Sequence, residues 1–111
     1  MKIFDGTLAV LSRALDVRLE RQNVLAGDIA NADTPGYKPL DIDVAGAMAS
    51  ATGPAPLAAG PSAPPTPDGN EVDIDRTMVE LAENGISYGG DARAAGKKLA
   101  ILRYVASDGN A

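Results

Sequence analysis

Residues 29–44, IANADTPGYKPLDIDV, end one amphipathic helical pattern in a compact turn and run straight into an alternating segment. Asn31 and Asp33 cap or tolerate irregular backbone, and Thr34 is driven out of the helical region by the proline that follows it. Pro35 and Gly36 suit the central positions of a type II turn, the second of which needs a positive φ. The first helix is therefore expected to stop near Asn31, and the chain to reverse through Thr34–Tyr37. No member of this string forms a catalytic constellation with its neighbours, so Tyr37 and Lys38 read as packing and surface groups.

Upstream, Phe4, Leu8, Leu11, Leu15, Leu25 and Ile29 alternate spacings of four and three, the seam of a helix that packs on another helix. Arg18 and Gln22 occupy the two remaining seam positions. Two readings fit them: an ordinary amphipathic helix whose seam drifts towards Leu19, or a polar layer that fixes register against a partner helix. Downstream the same spacing returns in Ile74, Met78, Leu81, Gly85, Tyr88, Ala92, Ala95, Leu99, Leu102 and Ala106. Acidic residues at its start (Glu71, Asp73, Asp75) and basic residues at its end (Arg93, Lys97, Lys98, Arg103) complement a helix macrodipole, and Thr77 with Glu80 has the spacing of a capping box. Gly89-Gly90 fits a kink there or a continuous helix equally well.

Between the two patterns, AGAMASATGPAPLAAGPSAPPTPDGN (residues 45–70) holds six of the eight prolines, so the sequence predicts neither a helix nor a central strand in it. It reads as a Pro/Ala/Gly/Ser tether that does not pack. The expected organisation is a helix over 1–33, a turn and extended arm over 34–44, a linker over 45–71, a helix over 72–106 and a tail over 107–111. At ~1.5 Å per residue the helices run about 40 and 50 Å. The predicted fold class is all-α: two long helices paired as an antiparallel, coiled-coil-like hairpin, with a short arm and a Pro-rich central linker.

Composition narrows the function. With 111 residues, 4% aromatic content and an apolar fraction of 45% that leans on alanine, the chain has little with which to build a self-sufficient core. A net charge of −5 argues against nucleic acid as a partner, and no segment is long enough for membrane insertion. The absence of Cys and His removes the thiol nucleophile, the imidazole base and the usual zinc ligands. Asp41/Asp43 and Glu71/Asp73/Asp75 read as solvated faces and helix-start charges rather than a metal site, because the calcium-loop pattern fails at Val72. No nucleotide cradle is present, so no cofactor is expected and an enzyme is not the reading. Asp5, Arg13 and Asp16 interrupt the apolar run that a cleavable secretory signal needs, and the residues alone would place the chain in the cytoplasm.

The string from Ile29 to Val44, behind a helix of this kind, resembles the signature of the axial proteins of the bacterial flagellum, which build the rod, hook and hook–filament junction. Through Asp33 and the sequel LDID (Leu40–Asp43) it looks most like the FlgB family of proximal-rod proteins. A second match, VDIDRTMVELAENGISY (Val72–Tyr88), is similar to the start of that family's C-terminal helix. The resemblance assigns a rod-signature turn to Asn31, Asp33, Thr34, Pro35, Gly36 and Tyr37. A helix-packing seam follows from the spacing: Phe4, Leu8, Leu11, Leu15, Leu25 and Ile29 on the first helix, Met78, Leu81, Tyr88, Ala92, Ala95, Leu99 and Leu102 on the second. The resemblance implies a structural subunit that polymerises with itself and with other rod proteins (FliE, FlgC, FlgF). It also implies export without cleavage through the flagellar type III apparatus, and assembly across the periplasm. The alternatives are a soluble helical-hairpin adaptor or secretion chaperone, or a paralogous rod protein.

Overall fold

The computed structural model describes residues 2–108, with side chains from residue 6 onward, so the seam position Phe4 lies outside the described side chains. The elements follow in the order α1 (Lys2–Ala30), β1 (Leu40–Ile42), α2 (Val44–Met48), β2 (Leu57–Ala59) and α3 (Ile74–Asp108). The two long helices pack side by side and antiparallel: Arg18 meets Asp91 and Gln22 meets Asn84, so residue numbers rise on one helix as they fall on the other. The resulting body measures 70 × 23 × 15 Å.

The expectation of an all-α chain is corrected in the middle. Strands β1 and β2 form a two-stranded antiparallel sheet in the register Leu40↔Ala59, Asp41↔Ala58, Ile42↔Leu57, and Ser62 bridges to Val72 beyond it. Proline permits this because it sits where no donor is required. Pro56 accepts from the Asp43 amide at 2.9 Å and Pro39 accepts from the Gly60 amide at 3.0 Å, each using only its carbonyl. Nor is the segment a loose tether. Ala47 and Ala55 are buried with Val17 and Ile42, and Val24, Val44 and Met48 close over them.

Helix α2, unforeseen in a stretch so rich in Pro and Gly, is held at both ends by side chains. Asp43 is its N-cap, accepting from the Gly46 amide at 2.9 Å. The Arg13 guanidinium reaches its far end, donating to the carbonyls of Ala47, Ser50 and Gly53. A cation there satisfies C-terminal carbonyls that the helix cannot bond itself.

Helix α1 therefore has two working faces. Val17 and Val24 turn towards the arm, while Leu25 is buried and Leu8, Leu11, Leu15 and Ile29 are half-buried on the other seam. Leu19 is 51% exposed, so the seam does not drift towards it.

Helix α3 runs unbroken through Gly89-Gly90. Its start differs from the expected capping box. Asp73 is the cap, its Oδ1 accepting from the Arg76 amide at 3.0 Å, while Thr77 lies one turn inside, buried, with its hydroxyl donating to the Asp73 carbonyl at 2.6 Å. The face laid against α1 is also offset by one residue from the predicted seam. Thr77 and Asn84 are its buried members, and Met78, Tyr88, Ala92 and Leu99 are exposed, whereas Leu81, Ala95 and Leu102 are half-buried. The offset arises because α1 supplies Arg18 and Gln22 at the contact, and polar partners on α3 are drawn in ahead of the larger apolar groups.

Candidate assembly surface

The turn that ends α1 is built from its own residues outward. The Asn31 side chain bonds back to the Gly27 carbonyl at 2.8 Å, and its Oδ1 accepts from the Thr34 hydroxyl at 3.1 Å. The Tyr37 amide donates to the Thr34 carbonyl at 3.2 Å, closing the turn, and Gly36 stands at φ +71°. Asp33 and Pro35 are exposed.

A second reverse turn is packed against the first. The Gly69 amide donates to the Thr66 carbonyl at 2.8 Å, and a Cβ at Gly69 would lie 3.4 Å from the Gly36 Cα. The Gly36 amide donates to the Asp68 carbonyl at 2.9 Å, and the Glu71 amide donates to the Tyr37 carbonyl at 3.1 Å. The hydroxyl of Thr66 and the Asn70 amide both donate to Asp68 Oδ1, which holds the Asp68 carboxyl below its usual range.

Asn70 joins the two turns. Buried, it donates through Nδ2 to the carbonyls of Asn31 at 2.9 Å and Thr34 at 2.7 Å, and accepts from the Val72 amide at 3.0 Å. The chain thereby enters α3 from a point fixed by the end of α1.

Beneath the turn, Asp28 is fully buried. Its Oδ1 accepts from the Leu40 amide at 2.9 Å and the Tyr37 hydroxyl at 3.4 Å, while Oδ2 has no partner. Burial pushes its carboxyl above the usual range, with the nearby Asp41 charge adding to the effect and the Leu40 amide and Tyr37 hydroxyl opposing it. Desolvation, with Asp28 close by, raises the Tyr37 phenol.

Arg21 ties three elements together. It grips Asp41 of β1 with two hydrogen bonds of 2.8 and 3.1 Å and reaches Glu80 of α3 at 2.7 Å. The Asp41 hydrogen bond raises the guanidinium pKa above its ordinary value. Further along the pair, Asn84 is buried and donates to the Arg18 carbonyl and to Gln22 Oε1, each at 2.8 Å, and Arg18 pairs with Asp91 at 3.0 Å. The polar-layer reading of Arg18 and Gln22 is the one the structure adopts.

This arrangement positions chain segments rather than a reacting group. Asp41 is taken by Arg21 and Asp43 by the cap of α2, and among the described residues no three potential ligands gather for a metal. Sequence reasoning missed Asp28, Asn70, Arg21 and Asn84, which hold the turn and the helix pair. Of these, Asn84 alone had a visible signal, since it falls on the α3 seam, two turns after Thr77, once that seam is shifted by one residue.

The fold is an elongated antiparallel helix pair whose turn after α1 is tied to the entry of α3. The family described as "Flagella basal body rod protein" matches residues 8–38, the span that runs from α1 through the turn. Flagellar basal body rod protein FlgB of Salmonella typhimurium is 32% identical, the alignment covering 96% of this chain and 96% of that protein. Its counterpart in Escherichia coli K12 is 33% identical over the same shares, and that of Cereibacter sphaeroides is 38% identical over 77% of this chain and 81% of the relative. The chain belongs to the FlgB family of flagellar basal body rod proteins. This is a family of structural rod subunits and not of enzymes.

Proposed function

We propose that this chain polymerises with itself and with the rod proteins FliE, FlgC and FlgF in the proximal rod. It reaches that place uncleaved through the flagellar type III export apparatus and assembles across the periplasm. The observation that carries this reading is the apolar surface left along the hairpin. Val10 and Leu19 on α1 and Val79, Ile86, Leu99, Ile101, Tyr104 and Val105 on α3 are all exposed, over the length of a 70 Å body. So much large apolar surface on so thin a body marks interaction sites.

The turn from Asn31 to Tyr37 sets the direction in which the chain leaves α1, and in this reading it is required for assembly rather than for helix formation. The coiled-coil-like pairing of α1 and α3 is then the spine of each subunit. Its seam residues contact α1 or α3 within the subunit where half-buried, and neighbouring subunits where exposed.

The test is deletion of the gene followed by imaging of cell envelopes and composition analysis of isolated basal bodies. Loss of rods, restored by the wild-type chain, is expected. Intact rods and normal flagella without it would end the proposal and favour a free helical-hairpin adaptor.

A further inference from the structure

Asn84 is followed by Gly85, whereas Asn23, Asn31, Asn70 and Asn110 precede Val, Ala, Glu and Ala. An asparagine before glycine is prone to attack on its own side chain, because the next residue has no Cβ to hinder the approach of its backbone nitrogen. Nothing in the fold calls for that glycine. A Cβ at Gly85 would meet no atom within 4 Å, and alanine is the better helix former.

The fold holds the reaction off. Asn84 is 1% exposed, and its Nδ2 donates to the Arg18 carbonyl and to Gln22 Oε1, each at 2.8 Å. Gly85 lies inside α3, where the helical ψ of Asn84 carries the Gly85 nitrogen away from the side-chain carbon and the amide proton is engaged in the helical ladder. Ring closure therefore needs α3 to open and the asparagine to leave α1.

We infer that Asn84-Gly85 is a self-modification site gated by the pairing of α1 and α3: the unpaired chain deamidates there, the paired chain does not, and the product cannot restore the pair. The step balances with water as its only co-reactant. The Gly85 nitrogen bonds to Asn84 Cγ, the Cγ–Nδ2 bond breaks, and ammonia leaves with the Gly85 amide proton. Water then opens the resulting succinimide at either carbonyl, giving aspartate or isoaspartate with no change of oxidation state. Both products fail in the paired geometry. Isoaspartate routes the main chain through an extra carbon inside a 35-residue helix, which breaks the ladder. Aspartate sets a carboxylate against the Arg18 carbonyl, which cannot turn to donate, and Oδ1 at this position is buried without a partner, so the new charge stands largely unmet. Chains that stay unpaired are thus withdrawn irreversibly from the pool able to form the hairpin. The site depends on the chain alone and not on the rod reading.

The full chain is incubated in mildly alkaline buffer, once folded and once in guanidinium chloride, and followed by intact mass and peptide mapping. The unfolded chain should gain the mass difference between amide and acid at Asn84. In the folded chain the gain should be slower by roughly tenfold or more, since only the fraction that opens can react. Isomerisation at Asp68-Gly69 or Asp108-Gly109 leaves the mass unchanged and is not counted. Gly85→Ala should suppress the gain in both conditions. On removal of denaturant, the helical ellipticity regained by the wild type should fall as its deamidated fraction rises, and Gly85→Ala treated alike should recover fully. Equal rates in folded and unfolded chain would overturn the gate, and a faster gain at another asparagine would overturn the site. Full recovery of helix by the deamidated chain would overturn the consequence.

Discussion

Arg21 holds Asp41 through two hydrogen bonds, 2.8 Å from Nε and 3.1 Å from Nη2, and so fastens the first residues after the turn to the middle of α1. The same guanidinium bonds Glu80 at 2.7 Å, which places the arm and α3 on one cation. The Arg21 and Asp41 side chains are each 15% exposed. Replacing Asp41 with Ala should cost about 1–2 kcal/mol, less than the roughly 3–5 kcal/mol of a fully buried pair because some solvent remains. Glu80→Gln should cost less, since Asp41 still holds the cation. Denaturant unfolding followed by circular dichroism checks this, and equal losses in the two variants would show that Asp41 has no special place.

Asn70→Ala removes the side-chain donor to the carbonyls of Asn31 and Thr34. The expected loss is about 1–2 kcal/mol, because two hydrogen bonds of a buried side chain are lost while each carbonyl keeps a backbone donor, the Thr34 amide for Asn31 and the Tyr37 amide for Thr34. Asn70→Asp should be worse, as it sets carboxylate oxygens against those carbonyls. A change under about 0.5 kcal/mol for Asn70→Ala would mean that the two turns do not depend on this tie.

At Gly36 the φ of +71° excludes β-branched residues, although a Cβ there would meet nothing within 4 Å. The penalty of Gly36→Val is thus backbone strain, of order 1 kcal/mol or more, and not a clash. Secretion should survive and swimming should fall. Normal swimming at normal protein levels would separate the turn from assembly.

Asp28 gives a pH dependence of definite sign. Its folded-state pKa is raised above the ordinary 3.8, so its contribution is fully present below that value and is lost as pH rises through the folded-state pKa. Asp68 acts in the opposite sense, its lowered pKa withdrawing stability as pH falls. Asp28→Asn keeps an acceptor for the Leu40 amide and should flatten the decline on the alkaline side. Carbon-detected titration of the Asp28 carboxyl in the wild type must show an upward shift, and a normal titration there would refute the assignment.

Order along the hairpin should be graded. Every buried residue among the described side chains lies between Val17 and Asn84, so the outer part of the pair, the start of α1 against the end of α3, has no buried anchor. Each ordered residue costs roughly 1–2 kcal/mol of backbone entropy, which half-buried alanines do not offset. Amide exchange on dilute protein should protect Val17–Ile29 and Thr77–Asn84 and leave residues 92–108 fast. Uniform protection along α3 would remove the case for ordering by neighbours.

What the sequence by itself determined is whatever depends on local backbone chemistry and on spacing along the chain. Pro35-Gly36 after Asn31 dictated a turn with positive φ at Gly36, and two patterns of four and three dictated two long helices. Asp33, LDID and VDIDRTMVELAEN were enough to point to the rod family. Only the tertiary structure decided which face of α3 meets α1. Spacing ranks Met78 and Leu99 above Thr77 and Asn84 by hydrophobicity, yet the hydrogen-bonding needs of Arg18 and Gln22 shift the contact by one residue and leave the larger groups outside. It also decided the fate of the Pro-rich middle. Proline forbids a ladder donor but not an acceptor, and whether carbonyls at Pro39 and Pro56 find amides depends on α1 carrying Val17 and Arg13 at the right height to gather Ala47, Ala55 and α2. Those partners stand some thirty to forty residues apart in the chain, as between Arg13 and Ala47 or Gly53, and no local pattern encodes them.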